Sequence, residues 1–279
     1  AQVAEILGRC VAHAGEEELN RQMQAFGESC NHNLNALHLV ESFELRYARF
    51  PGLNLTFDVR EGMVKHSLEF EPGERPEFDE YLPGLRPPLE AQLIDLADEV
   101  AYNTADLDDG YAAGLFTMQE IASAVPHYGE LAAEIAARFP EANENVRFQE
   151  VLRRLINLLV SGLIEGTLAA VTNSGAQSVE DIRRLPRLVR LTAGADETNR
   201  ALKRFLFEKV YSIPQLLDER RRACEGISAL FQFYLAHPQE LPEWQRARLE
   251  ELPLHRVVCE YIAGMTDGFF RRTAARLLG

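Results

Sequence analysis

Cysteine is scarce in this chain. There are four in 279 residues (Cys10, Cys30, Cys224 and Cys259), and no two share a CxxC spacing. That argues for unpaired thiols in a reducing cytosol rather than a disulfide framework. Basic residues are also short: 29 Lys and Arg stand against 43 Asp and Glu, a formal charge of −14. A duplex-coating protein needs clustered cations to neutralise phosphates, so that class is excluded. A nucleotide site is not excluded, because a few local cations and a metal outweigh the global field. Strand signals are few, with "LNLTF" at 53–57 the best short candidate. The sequence offers no apolar run of the ~18–20 residues expected of a membrane-crossing helix, and no signal-peptide pattern opens it. A cytoplasmic protein without a membrane partner is therefore expected. Repeats, low-complexity tracts and linker-like segments are missing too.

What remains is helical periodicity. Apolar residues recur at three- and four-residue steps in "EEELNRQMQAF", "LNALHLVESFELRYARF", "PLEAQLIDLADEVAYNTADL" and "YGELAAEIAARF". The same spacing runs through "VRFQEVLRRLINLLVSGLIEGTLAAV", "ETNRALKRFLFEKVY", "RRACEGISALFQFYLAH" and "LHRVVCEYIAGMTDGFFRRTAARLL". Thr117 with Glu120 and Ser178 with Asp181 have capping-box spacing. Pro-Gly pairs at 51–52, 72–73 and 83–84 punctuate the loops. The chain reads as all-α, long enough for one large domain or two closely packed ones.

One segment has a polar stripe. In "LEAQLIDLADEVAYNTADLDDG", Leu89, Leu93, Leu96, Ala97, Val100 and Leu107 form the expected core-facing side. Asp98, Tyr102 and Asp106 stand four apart, stacked turn over turn beside that side. Carboxylates at the edge of an interior need a cation, a metal or several donors. The stripe reads either as a solvated acidic face or as a carboxylate metal ligand with Tyr102 and Asp106 lining a pocket.

At this point "PPLEAQLIDLADEVAYNTADLDDG" resembles the helix carrying the last metal-binding Asp of bacterial deoxynucleoside triphosphate triphosphohydrolases, the dGTPase-like branch of the HD-domain superfamily. "HAGEEELN", "NHNLNALHLV", "FPGLNLTFDVREGMVKHS", "NRALKRFLFEKVY" and "YIAGMTDGFF" resemble the same family, in order, across nearly the whole chain. The resemblance implies an HD-domain helical fold, with an HD-type catalytic core over 1–125 and a further helical portion over 126–279. It implies hydrolysis of a dNTP, dGTP among the candidates, to deoxynucleoside and triphosphate, with a divalent metal such as Mg²⁺ or Mn²⁺. By motif, Asp98 matches the distal metal ligand, and Tyr102 and Asp106 match positions contacting deoxyribose and the neighbouring phosphate. His13 and Glu16 match a catalytic His and the acid that orients it, and His32 matches a further active-site His. Lys65 matches a basic position facing the triphosphate, with Arg60 a weaker candidate. His38, His66, His127, His237 and His255 read as structural or surface residues. The resemblance also implies a homo-oligomer, a hexamer or tetramer. Some relatives bind single-stranded DNA, which the acidic balance here does not favour.

The departure from the family pattern is large. The family's first metal His and its His-Asp pair have no counterpart, and no His-Asp dipeptide occurs anywhere in the sequence. Asp98 alone cannot hold a catalytic ion. "EILGRC" runs into "VAHAGE" without turn residues, so the favoured reading is a segment left out between Cys10 and Val11. The competing readings are a catalytically silent nucleotide-binding or regulatory homologue, and another HD phosphohydrolase such as a nucleotidase. "VYSIP" at 210–214 replaces a Tyr-Arg-His-Pro common in the family, removing a basic residue.

Overall fold

A computed structural model describes residues 14–29, 31–44 and 46–279. The predicted first helix, His13 and the Cys10–Val11 junction lie outside them. Among the described residues every regular element is a helix. The helices are α1 (14–24), α2 (His32–His38), α3 (Phe57–Val64), α4 (Leu89–Ala112), α5 (Met118–Ala124), α6 (Tyr128–Arg138) and α7 (Glu144–Ser174). They continue with α8 (Val179–Arg184), α9 (Ala193–Leu206), α10 (Pro214–Ala236), α11 (Glu243–Ala247), α12 (Leu254–Ala263) and α13 (Asp267–Leu278).

Both expected capping boxes form. Thr117 and Ser178 accept from the backbone N–H of Glu120 and Asp181, whose carboxylates return the bond. Three expectations are corrected. Residues 53–56 make no strand, because Asn54 adopts a left-handed φ of 53° and Phe57 already opens α3. The helix expected over 34–50 stops early: α2 widens into a π turn over Leu39–Phe43 and ends at Glu44. The chain doubles back there, with Leu53 N–H donating to Val40 O at 2.7 Å. Gly52, at φ 66°, lies so close that a Cβ would stand 2.2 Å from Glu41 O. The long C-terminal pattern is two helices, α12 and α13, separated at Gly264 and restarted by Thr266.

The described chain forms two compact units, one of residues 36–210 and one combining the residues up to 35 with 211–279. The expected cut at 125/126 falls inside the first unit, because α7 packs on α4, α6 and α9. In that unit α7 buries Phe148, Val151, Leu155, Leu159 and Leu163. Gly162 and Gly166 bring it against the 190–195 segment, where a Cβ on Gly166 would meet Arg190 O at 2.4 Å. Thr192 N–H donates to Gly162 O at 3.0 Å across the same contact. In the other unit Leu19 and Met23 of α1 join Leu230, Phe231 and Tyr234 of α10 and Val257, Val258 and Ile262 of α12.

α7 also corrects the reading of hydropathy. It contains an 18-residue window of mean hydropathy 1.7, enough by length and composition alone to cross a membrane. One side of it packs on α4, α6 and α9, while 39% of that window is buried.

Candidate functional site

α4 begins after Pro87-Pro88, whose rigid backbones set its entry angle. Gln92, fully buried, fixes the first turn by donating to Pro87 O at 3.0 Å and accepting from Leu188 N–H at 3.0 Å. One turn on, Asp95 takes His66 Nδ1 at 2.7 Å, Arg187 Nη1 at 2.7 Å and Ser67 N–H at 3.3 Å.

The polar stripe runs from outside to inside along the helix. Asp98 is exposed, Tyr102 is half-buried and Asp106 is completely buried. The core-facing side differs from the expected one. Gln92, Val100, Asn103, Thr104, Asp106, Leu107 and Gly110 are buried, whereas Leu93 is 38% exposed and Ala97 is exposed. The helix is therefore rotated so that Asp98 looks outward from a small-residue face with Ala97, Ala101 and Ala105.

Lys65, at the C-terminus of α3, is 3% exposed. Its ammonium donates to Glu61 Oε1 at 2.8 Å, Leu82 O at 2.9 Å and Leu85 O at 2.8 Å. All three ammonium donors are thus engaged, so a phosphate oxygen would have to displace a protein acceptor. Burial pushes its pKa down against the opposing pull of Glu61. Glu61 also takes Arg183 Nη1, and Arg183 reaches Asp58 at 2.8 Å. Arg60 donates to Glu41 Oε1 at 2.7 Å and to the Tyr81 hydroxyl Oη at 3.2 Å, and the Glu41 bond raises its pKa.

Glu16 lies half-buried on α1 and His32 opens α2. Both belong to the unit that contains α10, whereas Asp98, Tyr102, Asp106, Lys65 and Arg60 belong to the other. His13 and the side chain of His32 lie outside what is described. Of the histidines read as structural, His66 pairs with Asp95. His127 Nδ1 stands 2.8 Å from Thr198 Oγ1, and His255 stacks on Phe26 and contacts Glu28 at 3.2 Å.

Among the described residues no group of three or more His, Cys, Asp or Glu side chains could hold a metal ion. Asp98 is one carboxylate, and hard divalent cations need several oxygen or nitrogen ligands. The described residues therefore do not complete the implied metal site.

The phosphohydrolase-associated domain model matches residues 189–276. A deoxyguanosinetriphosphate triphosphohydrolase-like protein of Geobacter sulfurreducens is 39% identical over 260 residues, covering 92% of this chain and 66% of the relative. Proteins of the same description from Thiobacillus denitrificans and Bordetella pertussis are each 37% identical, covering 95% of this chain and 70% of theirs. The chain belongs to the deoxyguanosinetriphosphate triphosphohydrolase-like family. It spans 66% of the length of the Geobacter member. The family assignment fits the all-helical fold, and HD phosphohydrolases generally use divalent metals.

In this family member the sequence reading passed over a second polar row on α4. Glu99 and Asn103 stand four apart, each one residue after Asp98 and Tyr102. They bond Asn199 and Lys203 of α9, also four apart. The matching spacing in "DEVAYN" and "NRALK" was the available signal.

Proposed function

We propose that the intact protein hydrolyses a dNTP, dGTP among the candidates, to deoxynucleoside and triphosphate. The observation that carries this is α4: a family member's helix presenting an exposed Asp98 and a half-buried Tyr102 on one open face of small residues. In the proposed reaction a water oxygen bonds to the α-phosphorus as the 5′-oxygen leaves with a proton, giving deoxynucleoside and tripolyphosphate. Such a step needs an aligned nucleophile and neutralised phosphoryl oxygens. In this proposal His13 exchanges that proton, Glu16 holds the imidazole in its working tautomer, and His32 supports them. The Tyr102 hydroxyl orients the sugar, and Asp106 is the buried anchor of that wall. Lys65, whose three donors already bind protein acceptors, acts through positive potential, and so does Arg60, held by Glu41 and the Tyr81 hydroxyl. A bound divalent metal would neutralise phosphate charge, and Asp98 is a ligand that the described residues offer it.

Product analysis of the full-length protein with each dNTP, with and without Mg²⁺ or Mn²⁺, tests the proposal. Deoxynucleoside and tripolyphosphate are expected; pyrophosphate with dNMP, or single phosphates, would refute it. Hydrolysis of dNMP but not dNTP would point to a nucleotidase.

A second reading rests on one specific observation, the lack of a metal-binding group among the described residues. It is a silent nucleotide-binding homologue, and dNTP would then raise the Tm of the full-length protein without turnover when Mg²⁺ or Mn²⁺ is present in solution.

Homo-oligomerisation, as hexamer or tetramer, is also proposed. Val160, Ile164 and Leu168 form a row on the outer face of α7, 42%, 52% and 61% exposed. A row at four-residue spacing suits ridge-into-groove packing against another helix.

A further inference from the structure

The contact between α4 and α9 holds a polar chain that the proposed reaction does not use. Asn103 and Asn199 are 3% and 2% exposed. Asn103 Nδ2 donates to Asn199 Oδ1 at 3.1 Å, and Asn199 Nδ2 donates to Glu99 Oε1 at 2.7 Å. Lys203 Nζ then donates to Glu99 Oε2 at 2.9 Å at the exposed end. One amide therefore bridges two side chains of α4 that stand one turn apart.

Burying two amides costs free energy that a Leu pair would not. What the amides supply instead is direction. The apolar contacts of Val100 and Leu107 are non-directional and tolerate small rotations of α4 about its axis. The three hydrogen bonds do not, since donors and acceptors must meet within a few tenths of an ångström. Glu99 and Asn103 each directly follow Asp98 and Tyr102, so whatever fixes the rotation of one pair fixes the other. A misplacement near 1 Å is enough to cost about 10²-fold in rate.

We infer that Asn199, with Asn103, Glu99 and Lys203, is a positioning device that sets the rotation of α4 and so aims Asp98 and Tyr102 at the nucleotide. Asn199 and Lys203 lie in the stretch matched by the phosphohydrolase-associated domain, so this gives its first helix a part in the site. The inference rests on the proposed dNTP site.

The test compares the full-length parent, Asn199→Leu and the pair Asn103→Leu/Asn199→Leu. Asn199→Leu alone is expected to lower Tm, because Asn103 loses its buried partner. The Leu pair is expected to restore most of the Tm while kcat for the preferred dNTP stays at least tenfold below the parent. In a protein that binds dNTP without turnover, the same loss is expected in Kd. Turnover or binding that returns together with Tm would overturn the inference and leave the dNTP reading intact. A parent that neither cleaves nor binds any dNTP would overturn that reading and this inference with it. Should the Leu pair misfold, Lys203→Met tests the exposed end: unchanged Tm with a several-fold lower kcat is expected, and unchanged kcat would overturn the inference.

Discussion

Glu120 serves two elements at once. Its carboxylate closes the capping box of α5 on Thr117 and accepts Lys209 Nζ at 2.7 Å. The Lys209 bond first, then the bonds from Thr117, bring its pKa down to about 2 from 4.5. A depressed carboxylate contributes stability above its unfolded pKa and loses it as pH falls through the folded one. Glu120→Gln is therefore expected to lower Tm at pH 7 and to match the parent near pH 2; a constant gap across that range would contradict the account. Lys65 is a different case. Lys65→Met would strip one cation from Glu61, leaving Arg183, and free the Leu82 and Leu85 carbonyls. A loss of about 3 kcal/mol in denaturant unfolding is expected, the lower end for breaking a buried pair. A loss below 0.5 kcal/mol, with dNTP affinity down tenfold, would instead make Lys65 a direct phosphate ligand. At this scale the sequence told residue types and spacing, which sufficed for Asp98, Tyr102 and Asp106 as one stripe. It did not tell that Asp98 is exposed and Asp106 buried, because burial depends on which side α9 and α7 cover. Nor could it tell that the donors of Lys65 are all engaged, since two of its three acceptors lie 17 and 20 residues away in a loop.

Among the elements, α7 carries the clearest tests. Gly166→Val would force a branched side chain against the backbone of Arg190, Leu191 and Thr192. Overpacking of this kind costs ~1–3 kcal/mol, and a variant as stable as the parent would show that α7 can shift away. Ile164→Glu, on the outer face, is expected to leave stability within about 0.5 kcal/mol. In the proposed oligomer it should lower the mass measured by light scattering; an unchanged oligomer would place the interface elsewhere. The helices were legible because their periodicity is long and their caps are explicit, as at Thr117 and Ser178. Where reading failed, a tertiary contact overrode local pattern. The helix after α2 ends because Gly52 returns onto Glu41. The apolar run of α7 was underestimated because Glu165 and Ser161 interrupt it in sequence, though not in its mean hydropathy.

Under the proposed function, the whole molecule pairs an acidic net charge with a ligand that is itself an anion. A net charge of −14 gives no long-range attraction for a triphosphate, so affinity has to come from local cations. Activity should accordingly fall less steeply with added salt than in a protein steered by a basic field. Family membership was legible across the chain because its segments recur in order, whereas the domain cut was not. Among the described residues, 211–279 pack with those of 14–35, a pairing distant in sequence that no local pattern announces. The central claim concerns which bond is cut, and hydrolysis of the preferred dNTP in ¹⁸O-water reads it directly. The account predicts one ¹⁸O in tripolyphosphate and none in an unlabelled deoxynucleoside. Pyrophosphate accompanied by ¹⁸O-labelled dNMP would contradict it.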